Sequence, residues 1–258
     1  AAAAPAVSAI NGGVLTSPGP TGLFLNVAGT MIVDAASRID VSGRGRESGG
    51  WFSGGGYGGL GSGGTLYSNP AYGDYADPDE PGSGAEMSGS GFRYIVTGGG
   101  LVRLTASALR LDGDLVAAGG ISYADKLGGS GGGIYIAVAT LSGTGRITAP
   151  GGGALLQGGG GRVAVYAQDF AGFDAARITA PSGGGNAGAG TVHIVQGQPH
   201  THVRAYTPQG MNGGLVTSLA NVNITFNKYI DLNSFSSILI QGQMGRIQPA
   251  RLTLVSGR

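Results

Sequence analysis

From about residue 100 onward the apolar positions come in short alternating bursts. Val102-Arg103-Leu104, Ile134-Tyr135-Ile136, Val163-Ala164-Val165 and Val192-His193-Ile194 each read apolar–x–apolar, and each follows glycines within a few residues. Their starts at 102, 134, 163 and 192 are spaced 32, 29 and 29 residues. A second series, Leu115-Val116-Ala117-Ala118-Gly119, Ile147-Thr148-Ala149-Pro150-Gly151 and Ile178-Thr179-Ala180-Pro181-Ser182, advances by 32 and 31. The string Arg-Ile-Thr-Ala-Pro stands at 146–150 and again at 177–181, and Arg38-Ile39-Asp40-Val41-Ser42-Gly43 is an earlier, weaker copy. Between the two series lies a third apolar stretch: Leu109-Arg110-Leu111, Thr140-Leu141 and Asp169-Phe170.

Alternation over three to five residues is the period of a strand, not of a helix. Glycine opposes helix further, at roughly 1 kcal/mol for each one in a helix interior. Three short strands per unit, repeating every 29–32 residues, suit a chain in which each turn stacks on the last and pairs with it in parallel, about 4.8 Å away. The expected fold is all-β: a right-handed parallel β-helix over residues 1–198. The glycine clusters Gly128–Gly133, Gly151–Gly153, Gly158–Gly161 and Gly183–Gly190 recur at one phase. That phase predicts a corner of positive φ and close backbone approach. A β-sandwich with glycine-rich loops explains the alternation but not the in-phase return of Arg-Ile-Thr-Ala-Pro.

Two regions break the period. Ile39 and Leu115 are 76 residues apart, so a long insertion, near 44–100, interrupts one turn. Long loops without regular structure are usually functional or disordered. The insertion holds Trp51, Phe52, Tyr57, Tyr67, Tyr72, Tyr75, Phe92 and Tyr94, with the acids Asp74, Asp77, Asp79, Glu80 and Glu86. Exposed rings would stack on sugars, which makes Trp51, Tyr57, Tyr67, Tyr72 and Tyr75 candidate glycan contacts. Asp74, Asp77, Asp79 and Glu80 offer oxygen ligands for Ca²⁺, though not at EF-hand spacing. The third reading is a cover: the rings fold back as a satellite core while the acids stay solvated. The other break follows Val195. Residues 199–258 read as a linker and a partial immunoglobulin-like, β-sandwich-like module. Its strands are the alternating run from Asn221 to Phe235, Ile238-Leu239-Ile240 and Leu252-Thr253-Leu254-Val255; a full sandwich of that type takes about seven.

Composition narrows the chemistry. Glycine numbers 55 of 258 residues, yet 41% of the chain is hydrophobic and only 11% charged, so burial rather than disorder is expected. A net charge of +1 without basic blocks makes nucleic acid a poor partner. No cysteine is present to staple, catalyse or bind zinc, and no apolar run reaches membrane-spanning length. Ala1–Val7 lacks the charged start and apolar centre of an intact signal peptide. Asp112 and Asp114 flank Gly113 as a turn-stabilising pair, with no basic residue expected in phase with them. His200 and His202 could share a strand face with His193 nearby, but no metal set of the usual kind is evident. Thr148 and Thr179 stack in phase without making the array an ice-binding face needs. Asn223-Ile224-Thr225 fits a glycosylation sequon.

Several segments carry a resemblance. Tyr72-Gly73, Pro81-Gly82-Ser83-Gly84, Gly98-Gly99-Gly100 before Leu101-Val102-Arg103-Leu104, and Gly131-Gly132-Gly133 before Ile134-Tyr135-Ile136 resemble glycine-rich β-helical segments of very large bacterial secreted or surface proteins. So do Gly158–Gly161 and Arg162-Val163-Ala164-Val165-Tyr166. The tail is similar to the opening of bacterial immunoglobulin-like repeats. The resemblance implies an extracellular, cell-surface, multi-domain parent and brings no catalytic residues. The expected function is a non-enzymatic spacer or adhesive segment whose partners are other domains of its own chain, surface glycans or further copies in a filament. No cofactor beyond Ca²⁺ enters. The alternative is a carbohydrate-binding or carbohydrate-cleaving β-helix of the polysaccharide lyase or glycoside hydrolase kind.

Overall fold

The computed structural model describes residues 3–47, 52–63, 70–89, 91–122 and 126–199, together with two short strands beyond them. The chain falls into two units, Ala1–Pro199 and His200–Arg258. The first contains β1 (Val7–Ala9), β2 (Val14–Leu15), β3 (Leu23–Val33), β4 (Arg38–Asp40), β5 (Ala85–Gly89), β6 (Phe92–Val96), β7 (Leu101–Leu111), β8 (Asp114–Val116), β9 (Gly133–Ser142), β10 (Arg146–Thr148), β11 (Arg162–Asp169), β12 (Ile178–Thr179) and β13 (Thr191–Gln196). Apart from the antiparallel hairpin β5–β6, consecutive strands alternate between two sheets. One is ordered β1-β3-β7-β9-β11-β13 and the other β12-β10-β8-β4-β2. Every pairing within these two sheets is parallel. The unit is therefore nearly all β and built on parallel sheets.

The register matches the sequence phase. Val102 lies opposite Ile134, Ile134 opposite Val163, and Val163 opposite Val192. In the second sheet Ile39, Leu115, Ile147 and Ile178 are successive partners. These residues, except Val192 at the open end, are buried in one continuous core with Leu104, Ile136 and Val165. Two expectations need correction. The first and third apolar stretches of each repeat are not separate strands, because Leu101–Leu111 and Gly133–Ser142 each run unbroken. The amino-terminal end also carries a shorter repeat that the sequence phase did not mark: Val7 pairs with Met31 and Val14 with Arg38, 24 residues apart.

The glycine clusters form no positive-φ corner. None of Gly128–Gly133, Gly151–Gly153, Gly158–Gly161 or Gly183–Gly190 has φ in the left-handed region. They form a third layer in which main chains pack directly against one another. Its hydrogen bonds rotate with a period of three. Gly128 and Gly131 donate to the carbonyls of Leu156 and Gly159, whereas Gly129 and Gly132 donate to those of Gly120 and Ala117. Ser130 and Gly133 donate to Ser83 and Gly100. Three neighbours taken in rotation is the symmetry of a polyproline II-type chain, three residues per turn without internal hydrogen bonds. A β-strand, with its period of two, cannot bond on three sides. At most of these glycines a side chain has no room: a Cβ on Gly158 would stand 1.9 Å from the Gly129 oxygen. Close approach, not φ, is what demands glycine.

In the second unit Leu215–Ser218 (β14) pairs with Leu239–Gly242 (β15). The pair is parallel. The expected strands at Asn221–Phe235 and Leu252–Val255 lie outside the described residues, as does the Asn223 sequon.

Candidate functional site

The outer face of the larger sheet carries a group of polar and aromatic side chains. Register places Phe24, Arg103, Tyr135, Ala164 and His193 in one row across five strands. Tyr135, Ala164 and Tyr166 are buried together as a satellite core outside the main one. What buries them is the insertion, whose segment 71–82 crosses this face as a strap.

Side chains of the sheet hold the strap mainly by its main chain. Arg162 Nε donates to the Tyr72 carbonyl at 2.7 Å, Tyr166 Oη to Ala76 at 2.8 Å and Arg103 to Pro78 at 2.6 Å. Arg103 also pairs with the Asp77 carboxylate at 2.7 Å and lies over the Tyr135 ring. The edge of Tyr75 meets His193, with ring centres 5.3 Å apart. Behind the strap Tyr57 is fully buried against Tyr72, their ring centres 4.8 Å apart, with the Arg162 guanidinium over the Tyr57 ring and that of Arg46 over Tyr72. Burial raises the phenol pKa of Tyr57 and Tyr72 well above the ordinary value, so both stay neutral, and burial lowers that of the Arg162 guanidinium.

The candidate glycan contacts are thus dispersed. Tyr57 has no exposed face to offer a sugar, Tyr72 is turned inward with its hydroxyl donating to Pro81, and Tyr75 is half-buried against His193. Trp51 and Tyr67 lie outside the described residues. Of the calcium candidates, Asp74 is buried and accepts from the Ala76 amide, Asp77 pairs with Arg103, and Glu80 approaches Arg46 at 3.9 Å. Asp79 is half-buried on the same strap. These acids follow one another along the strap, and among the described residues no group of three histidine, cysteine or acidic side chains could hold a metal. His200 and His202 lie outside the described residues. Sequence reasoning missed Arg103, Tyr135, Arg162 and Tyr166. For Arg103 and Tyr135 the signal is a bulky residue at the outward position of an apolar–x–apolar triplet, which marks a strand covered on both faces; Arg162 and Tyr166 flank the triplet Val163-Ala164-Val165 and carry no such mark.

No family model, curated protein or solved structure matches this chain.

The other charged feature is a ladder on the smaller sheet, and it corrects the expectation that no basic residue falls in phase with the acids around Gly113. Arg38 and Arg146 are the register partners of Asp114 on either side. Arg146 grips Asp114 with two hydrogen bonds, at 2.9 and 2.8 Å, and Arg110 holds Asp112 at 2.7 Å. Thr148 and Thr179 hydroxyls meet at 3.0 Å in the next column. The Arg146 hydrogen bonds are the main cause holding the Asp114 carboxyl below its ordinary value, against a smaller opposing effect of burial. A depressed folded value means that this contribution is present above the unfolded value, about 4, and fades as pH falls through the lower folded one. Urea unfolding of wild type and Asp114→Asn from pH 6 down to 2 is therefore expected to show a stability gap that closes at the acid end. A gap independent of pH would mean that the ladder contributes no electrostatic stability.

Proposed function

We propose that this chain is a right-handed parallel β-helix serving as a rigid structural or adhesive segment of a large extracellular bacterial protein. One observation carries the reading: each inner strand is bonded to both neighbours in its sheet, and the intervening glycine segments are bonded again in a third layer. Bending such a body requires breaking hydrogen bonds in three layers at once. The carboxylates of the repeats support the same reading, since Asp112 and Asp114 fasten turns and neighbouring strands rather than converging on a cleft. Surface glycans, neighbouring domains of the same parent and further copies are the partners this role implies.

Incubation with a panel of acidic and neutral polysaccharides tests the assignment against the lyase and hydrolase alternative. The expected result is retention of bound glycan without cleavage, read on a glycan array and by assays for reducing and unsaturated ends. New chain ends would overturn it. In size-exclusion chromatography, high-mass species that grow with concentration would select the filament form over the single rod.

A further inference from the structure

A stack of repeats that touch only their neighbours frays from its ends, because each terminal repeat is held by a single interface. The last strand of the larger sheet is exposed to that fate. Among the described residues β13 pairs with β11 alone, and its core-facing Val192 and Ile194 are 42% and 38% exposed although their ladder partners Val163 and Val165 are fully buried.

The insertion contradicts nearest-neighbour behaviour. It leaves the chain after β4, yet its partners belong to three later repeats. Gly55 donates to Gly128, in the link from β8 to β9, and accepts from Gly159, in the link from β10 to β11. Gly59 donates to Gly160, and Leu60 accepts from Gly188, in the link from β12 to β13. Ser62 and Gln157 bond to each other through the Ser62 amide and hydroxyl. The strap, packed against this segment through Tyr72 and Tyr57, reaches β7, β11 and β13 through Arg103, Arg162, Tyr166 and His193. Arg162 ties the two ends of this path, donating both to the strap at Tyr72 and to Thr191 at the start of β13.

We propose that the insertion is a clamp that converts the repeat stack into one cooperative body by fastening β13 to the segment that follows β4. Residues separated by more than a hundred positions open together or not at all. This goes beyond the structural role proposed above and does not depend on what the rod contacts, since it concerns only how the unit opens.

Native-state hydrogen exchange on the full chain, resolved by strand, tests the clamp. In wild type the amides of β13 are expected to exchange through the same opening as those of β9. The double variant Tyr75→Ala with Tyr166→Phe removes the ring against His193 and the donor to Ala76. There β13 is expected to exchange about tenfold faster than β9, with β9 unchanged. Tyr75→Ala alone, a change at a half-buried ring, shows the same uncoupling in smaller measure and serves if the double variant does not fold. The proposal is overturned if β13 already exchanges independently of β9 in wild type. It is equally overturned if the variants accelerate every strand alike.

Discussion

Gly131→Ala is expected to destabilise the protein by about 3–5 kcal/mol, enough to abolish folding in a domain of ordinary stability. The added methyl carbon would stand 2.1 Å from the Ala149 oxygen and 2.5 Å from the Gly161 nitrogen, whereas even a close C···O contact needs about 3.3 Å. Both obstacles are main chain, so no rotamer change relieves them. Parting the segments breaks the bond from Gly131 to Gly159 and the bond from Gly161 to Ala149. Gly185→Ala is the internal control. It sits in the same kind of glycine run, but nothing lies within 4 Å of its added carbon and its φ is not left-handed, so its change should stay within about 0.5 kcal/mol. Urea midpoints and soluble yield of the two variants measure the difference. Equal stability would show that the glycine layer is not packed main chain to main chain.

Truncation in the core is expected to follow a ladder. Leu104, Ile136, Val165 and Ile194 are successive partners across four strands. Ile136→Ala removes a fully buried side chain with partners above and below, and should cost about 2–5 kcal/mol through lost transfer energy and the cavity left behind. Ile194→Ala, chemically the same change, should cost about 1 kcal/mol, because that side chain already meets solvent and leaves no closed cavity. Denaturant unfolding of both variants decides the point. If Ile194→Ala proved as damaging as Ile136→Ala, the end of the ladder would not be open as the structure has it.

Much of this architecture was legible in the sequence because parallel stacking turns phase into contact. When repeats lie in register, residues at the same point of successive repeats must touch, so the spacing of Val102, Ile134, Val163 and Val192 already contains their pairing. The Asp114 ladder is legible in the same way: Arg38 and Arg146 precede the isoleucines in phase with Leu115, so each falls in phase with Asp114. The role of the glycine clusters is not legible in the sequence, for a different reason. A run of glycines is compatible both with a left-handed corner and with close approach, and only the direction of successive N–H groups separates them. That direction depends on which neighbours are present, and the neighbours include segments from the insertion, out of phase with everything else.

The strap shows where sequence stops. Tyr57, Tyr72 and Tyr75 share a composition typical of a contact surface, yet Tyr57 lies under the strap with Arg162 against its ring, and Tyr75 lies against His193. Nothing in their spacing reports this, because the partners lie about ninety to a hundred and twenty positions away and belong to no repeat of the insertion itself. By itself the sequence determined the strand period, the repeat length and hence the parallel register, since these follow from local alternation and translation along the chain. Tertiary structure alone decided that the glycines would form a packed layer and that the aromatic insertion would close over the sheet. Both depend on contacts between segments of unrelated phase, and burial acts there through space, without leaving a period to read.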